Sequence, residues 1–145
     1  IGLQAHWGLD YPSIDEIETS ILKIHEAGFR VHFTELDIDV LPNLWEIEGA
    51  DLSDNFKSND QLNPYKLSLP DSISDLLSNR YTEIFELFDR HNDKIDRVTF
   101  WGLSDGYSWK NDWPAKGRTN YPLLFDRENN PKKAYKDIMM LFNEK

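Results

Sequence analysis

Cysteine is absent from this chain, which excludes disulfides, thiolate metal sites and thiol nucleophiles together and leaves the redox compartment unreadable. No apolar run approaches the roughly 20 residues that a membrane span requires. Basic residues are in the minority. Against 26 Asp and Glu stand 16 Lys and Arg, a formal charge of −10, and this balance lacks the basic stripe of a nucleic-acid surface. There is no initiating Met and no secretory or transit segment. The sequence opens on Ile1-Gly2-Leu3-Gln4-Ala5-His6-Trp7, which already reads as a strand, a start expected of an internal cut or a cleavage site.

Aromatic residues are plentiful at 13% of the chain, with five Trp. Trp7, Trp101, Trp109 and Trp113 are expected at or just beyond strand ends, in surroundings rich in Gly, Asp and Asn. Flat apolar plates of this kind stack on the C–H faces of sugars, whose hydroxyls seek polar neighbours. An acidic rim rich in Trp fits a saccharide better than a phosphate.

The most informative stretch is Arg30-Val31-His32-Phe33-Thr34-Glu35-Leu36-Asp37-Ile38-Asp39. It runs apolar and β-branched and then ends in acids, as a buried parallel strand does when it delivers a carboxylate to a solvent-facing rim. Alternation with period two places Val31, Phe33, Glu35 and Asp37 on one side of the strand, so the acids share a face with residues that would fill a barrel interior. Glu35 is therefore the first catalytic candidate. The plainer alternative is a solvated acid just past a strand end.

Around this strand the punctuation is regular. Ser13-Ile14-Asp15-Glu16 is a capping box, Ile14, Ile17, Ile21, Ile24 and Ala27 recur at helical spacing, and Gly28 ends the helix before a strand over 30–36. A long polar connection over 41–70, with the turn Asn63-Pro64-Tyr65, reads as an excursion near the rim, with disorder as its alternative. A helix opens near Asp71-Ser72 and carries Ile73, Leu76, Leu77, Tyr81, Ile84, Phe85 and Phe88 on one stripe. A third strand covers 95–103. After a loop rich in Trp, Asn, Gly and Pro comes a last helix, with Asn130 as cap, Pro131 in its first turn, and Ala134, Ile138, Leu141 and Phe142 as the buried stripe. The order is α/β with parallel strands and outer helices, but three strands are too few for a closed barrel. The expected fold is the C-terminal part of a (β/α)8 TIM barrel.

Three blocks together resemble family 10 glycoside hydrolases, the retaining endo-β-1,4-xylanases. They are Ile1-Gly2-Leu3-Gln4-Ala5-His6, Thr34-Glu35-Leu36-Asp37, and Thr99-Phe100-Trp101-Gly102-Leu103-Ser104-Asp105-Gly106-Tyr107-Ser108-Trp109. The closing Pro122-Leu123-Leu124-Phe125-Asp126 and Asn130-Pro131-Lys132-Lys133-Ala134-Tyr135 are similar to the C-terminus of that family. The resemblance implies barrel strands six to eight, so that residues 1–145 form the C-terminal segment of a single catalytic barrel whose strands one to five are absent from this chain. It implies Glu35 as nucleophile, His6 and Asp37 as its hydrogen-bonding partners with Gln4 in the same network, and Trp101 and Trp109 as walls around the sugar. The substrate it implies is xylan or a xylo-oligosaccharide. The acid that protonates the leaving oxygen is a Glu of strand four in that family, and no residue here matches its motif. An N-terminal half of the same barrel, as a separate or cleaved chain, is thus the expected partner. No cofactor or metal is implied, and the expected location is secreted, periplasmic or at the cell surface.

Other readings accompany these. A β-1,4-glucanase on the same scaffold and a non-catalytic carbohydrate-binding fragment are the rival functions. His32 and Glu35 have a spacing that a metal search would notice, but an odd offset on a strand sends them to opposite faces. His25 and His91 read as surface or helix-end residues. Asp105 fits either a substrate contact or a buried turn role, Trp113 with Asn111-Asp112 either a cleft border or a loop cap, and Lys116 and Arg118 could pair with acids on the rim. Gly102-x-Ser104-x-Gly106 has the spacing of a serine-hydrolase elbow without the helix that must follow it.

Overall fold

The computed structural model of the chain describes residues 1–42, 62–114 and 116–143. Much of the 41–70 connection therefore lies outside the described residues. Its described end is tied down: Leu62 and Asn63 are buried, and the Asn63 amide bonds the carbonyl of Gly117 and the N–H of Thr119.

Strands β1 (Gly2–Leu3) and β2 (His6–Gly8) form one interrupted row, corrected from the single strand expected over the opening residues. Both pair in parallel with β3 (Val31–Asp39), which pairs in parallel on its other side with β4 (Ile95–Phe100). Helix α1 (Ile14–Glu26) links the first row to β3, α2 (Asp71–Arg90) precedes β4, and α3 (Lys133–Asn143) closes the chain. The capping box at α1 is formed: Ser13 Oγ accepts from the Glu16 N–H, and the Glu16 carboxylate accepts from the Ser13 N–H. Gly28 follows at φ +84°, the left-handed geometry that ends the helix.

All three helices contribute to one core against a single face of the sheet. Ile17 and Ile21 of α1, Leu77, Tyr81, Ile84, Leu87 and Phe88 of α2, and Ala134 and Ile138 of α3 join Val31, Phe33, Leu36 and Ile38 of β3. Phe33 stacks on Phe88 with ring centroids 4.4 Å apart. Trp7 packs edge-on against Phe33, so it belongs to this outer, helix-facing layer rather than to a sugar-binding rim.

The core list exposes a break in alternation. Val31 and Phe33 point to the helices, but so do Leu36 and Ile38, three and five residues after Phe33. The pairings locate the cause. From Leu3↔Phe33 to His6↔Asp37 the first row advances three residues while β3 advances four, and from Phe33↔Val98 to Leu36↔Phe100 β3 advances three while β4 advances two. One extra residue at Thr34–Glu35 bulges β3 against both neighbours. This corrects the expected shared face: Val31 and Phe33 lie outward, Glu35 and Asp37 inward. Bulges of this kind re-aim side chains beside functional sites. The same shift removes the odd-offset argument about His32, which is engaged elsewhere, 3.3 Å from Asp96.

Two smaller expectations also change. The last helix begins at Lys133, because Pro131 makes an antiparallel bridge with Phe125 instead of opening the helix. Leu76 and Phe142 are exposed, the latter meeting Phe85 edge-on, so these stripes are narrower than their sequence periodicity.

Helix α3 is held to α2 by polar as well as apolar contacts. Buried Ser78 Oγ donates to Asp137 Oδ2 at 2.7 Å, and Lys133 Nζ lies 2.8 Å from the same oxygen. The Lys133 ammonium, and after it Ser78, hold the Asp137 carboxyl below its ordinary value near 3.8. A carboxyl lowered by folding stabilises the folded state above its unfolded value, and that contribution disappears as pH falls through the folded value. Asp137→Asn is accordingly expected to lower the thermal midpoint at neutral pH, and the gap from the parent should close as pH drops below about 3.8. Thermal melts across that range check it.

Candidate active site

Inward-facing residues of the first row and of β3 meet at the C-terminal ends of the strands. Leu3, Ala5 and Trp7 pack outward, leaving Gln4 and His6 on the inner face, and the bulge turns Glu35 to meet them. Gln4 Nε2 donates to Glu35 Oε1 at 3.1 Å, and His6 Nε2 stands 2.9 Å from Glu35 Oε2. The other ring nitrogen, His6 Nδ1, is 3.0 Å from Asp37 Oδ1. Each carboxylate oxygen of Glu35 thus faces a donor, which fixes the plane of the carboxylate while 19% of the side chain stays open to solvent. An imidazole whose two nitrogens both face carboxylate oxygens bonds both only with a proton on each.

Asp37 has no solvent exposure. Its second oxygen accepts from Trp109 Nε1 at 2.8 Å, so the indole that walls the site is anchored through the same acid that orients His6. Trp109 meets His6 edge-on at 5.0 Å between centroids, and Trp101 does so at 6.4 Å. Trp113 lies 4.8 Å from Trp109, extending the aromatic surface beside the acids. Trp101 and Trp113 are close to half exposed, so these faces are open to a ligand. Gly102 follows Trp101 at φ +148°, and a Cβ there would come within 2.7 Å of Leu123 Cδ1, so the chain turns away from the wall only with glycine at this position.

The structure therefore brings Gln4, His6, Glu35, Asp37, Trp101 and Trp109 together. Other candidates fall away from this cluster. Asp105 is fully buried, accepts from the Leu123 N–H at 2.8 Å and pairs with Lys132 Nζ at 2.9 Å, a turn-locking role; burial pushes its carboxyl up despite the lysine and pushes Lys132 down. Asn111 bridges Arg127, the Asn120 N–H and the Asp105 carbonyl, which makes it a loop brace. Arg118 is buried and donates to the Pro42 carbonyl. Ser104 is buried and leads into a single 3₁₀ turn, Asp105–Tyr107, rather than a helix. His91 caps α2 and pairs with Glu18 of α1, whereas His25 is exposed in the last turn of α1. Among the described residues no group of three or more His, Asp or Glu could hold a metal ion.

Two residues of the cluster escaped sequence reasoning. Asp39 accepts from Asn120 Nδ2 at 2.7 Å and from the Leu41 N–H at 2.9 Å, and Lys110 sits buried between Asp37 and Asp39. Three acids at alternate positions of one strand were the available signal, because like charges crowded together and partly withdrawn from water call for a cation.

The family model described as glycosyl hydrolase family 10 matches residues 1–141. The chain belongs to glycosyl hydrolase family 10. It is 42% identical over 142 residues to the endo-1,4-beta-xylanase A of Xylanibacter ruminicola, covering 98% of this chain and 38% of that protein. With the endo-1,4-beta-xylanase of Geobacillus stearothermophilus the identity is 38%, over 93% of this chain and 36% of the relative. Among solved structures, a GH10 endoxylanase retrieved from a sugarcane soil metagenome superposes with a TM-score of 0.86 at 46% identity, over 97% of this chain and 38% of that one. The Thermobacillus composti GH10 xylanase gives 0.77 at 34% identity, over 97% and 41%. The chain thus spans roughly two fifths of its GH10 relatives, and its parallel strands and one-sided helices are a sector of their TIM barrel.

The Trp109 bond to buried Asp37 has a measurable consequence for this GH10 sector. Trp109→Phe keeps an aromatic wall but leaves one carboxylate oxygen without its donor, and is expected to cost about 1–3 kcal/mol of stability. Trp101→Phe, on an exposed wall, is expected to stay within about 0.5 kcal/mol of the parent. Denaturant unfolding of the two variants checks the contrast.

Proposed function

We propose that this chain is the nucleophile-bearing C-terminal segment of a single retaining endo-β-1,4-xylanase barrel, residues 1–145, completed by strands one to five from an N-terminal half. The observation that carries the reading is His6 bridging Glu35 and Asp37, with Gln4 on the remaining Glu35 oxygen. A nucleophilic carboxylate must be ionised and held in one orientation, and this arrangement supplies both. A protein that only bound carbohydrate would have no need of it.

In the proposed reaction a Glu35 oxygen attacks the anomeric carbon as the glycosidic C–O bond breaks, through an oxocarbenium-like transition state. A second carboxyl about 5–5.5 Å away gives its proton to the leaving oxygen, then takes one from the water that releases the sugar from Glu35. Neither neighbouring acid suits that task. Asp37 has both oxygens engaged and no exposure, and Asp39 accepts two hydrogen bonds on one oxygen and faces Lys110 with the other. The acid is accordingly assigned to the N-terminal half. Trp101 and Trp109 stack on the sugar beside the scissile bond. Xylan is a polymer that does not enter cells, so the reading carries a secreted, periplasmic or cell-surface location.

The test is made in an assembled barrel in which this chain replaces the matching segment of the Xylanibacter ruminicola endo-1,4-beta-xylanase A. Glu35→Ala is expected to lower kcat on xylan by several orders of magnitude, with azide partly restoring turnover of an activated aryl xylobioside and yielding the α-glycosyl azide. Activity retained in Glu35→Ala would remove Glu35 from the role. Residues 1–145 alone are expected not to hydrolyse xylan, and normal turnover by the isolated chain would overturn the division of the site. Initial rates on xylan and carboxymethylcellulose separate xylanase from glucanase.

A further inference from the structure

Lys110 follows Trp109 in the loop beyond β4 and is 5% exposed. Its Nζ lies 3.6 Å from Asp37 Oδ1, 3.6 Å from Asp39 Oδ2 and 5.0 Å from the centroid of the Trp109 ring. Those carboxylate separations are too long for directional hydrogen bonds, so the ammonium acts on both acids as a point charge. The two acids differ in what else they have. Asp37 faces His6 and Trp109, whereas among the described residues the hydrogen bonds to Asp39 come from neutral donors, the amide of Asn120 and the N–H of Leu41. Lys110 is thus the nearest cation to Asp39 among the described ion pairs.

Resting on the reading of Glu35 as nucleophile, we propose that Lys110 is a positioning residue for the reaction: shared equally between Asp37 and Asp39, its single positive charge offsets one of their two negative ones, so that the His6–Glu35 pair works beside one uncompensated acid rather than two. Among the described residues the charged and titratable groups linked to Glu35 through this network are His6 on β2, Asp37 and Asp39 on β3, and Lys110 from the loop, and Arg118 also acts on Asp39. Without the ammonium, the strand face beside Glu35 carries one more uncompensated negative charge. A carboxylate in a more negative field takes up its proton at higher pH.

The assembled barrel allows this to be read directly. A 2-deoxy-2-fluoro xylobioside with an activated leaving group traps the nucleophile as a covalent adduct, and such a leaving group departs without protonation, so the acid of the other half does not enter the profile. In Lys110→Met the acid limb of the inactivation rate is expected to move up by about one pH unit, the scale of one added charge at an effective dielectric constant near 20. Lys110→Arg, which keeps the charge, and the double variant Lys110→Met with Asp39→Asn, which removes the charge left uncompensated, are both expected to return the limb to the parent position. A merely structural lysine would slow labelling without moving the limb.

A Lys110→Met barrel that labels at Glu35 with the parent profile overturns the inference, and so does a double variant whose limb stays displaced. If Lys110→Met does not fold, Asp39→Asn alone must move the limb to lower pH, and an unmoved limb again overturns it. A parent barrel that gives no adduct at Glu35 removes the functional reading and this inference with it, whereas a labelled parent with an unmoved limb in the variants removes this inference alone.

Discussion

Three carboxylates project from one face of one strand, and their mutual repulsion is the constraint around which the inner side of this molecule is organised. Glu35, Asp37 and Asp39 are two residues apart in succession, and a charge moved out of water without a partner is strongly disfavoured. The groups that answer them come from three separate parts of the chain, and His6 and Lys110 each serve two of the acids. Gln4 and His6 come from the first row, Trp109 and Lys110 from the loop after β4, and Asn120 from the strap that returns toward the last helix. Remote parts of the chain are thus drawn to one strand by the same electrostatic need that leaves Glu35 oriented and partly open.

The outer side supplies the rigidity this requires. Phe33, Leu36 and Ile38 are fully buried against α1 and α2, and the Phe33–Phe88 stack ties the strand to the helix behind it. Tyr81 adds a polar fixture: its buried hydroxyl donates to the Pro122 carbonyl at 2.7 Å, and burial pushes the phenol well above its usual range. Through Pro122, Leu123 and Asp105 the loop bearing Trp109 and Lys110 is joined to the same core.

Much of this was legible in the residues. Local chemistry announced the capping box at Ser13, the glycine stop at Gly28 and the parallel order of strands and helices, because each depends on neighbours in sequence. The cluster of Gln4, His6, Glu35 and Asp37 was legible from motif order. The bulge was not, since an extra residue in a strand shows only against the partners that flank it, and a strict period of two assigned Val31 and Phe33 to the wrong side. Lys110 and Asn120 were hidden for a similar reason: they lie some 70 to 80 positions from the acids they serve, and loop residues carry no periodicity to betray their direction. Pro131 looked like a helix opener because its preferred φ suits both a first turn and an extended bridge.

The doubled displacement of β3 against both its neighbours sets the frame in which the acids are read out. A slip of one position would drive Glu35 into the aromatic layer behind the sheet and lift Leu36 into the polar mouth, an exchange unfavourable on both sides at once. The greasy back of the strand therefore acts as a ratchet: the aim of the Glu35 carboxylate is decided by how Phe33 and Leu36 seat among the helices, on the opposite side of the sheet from the acids themselves.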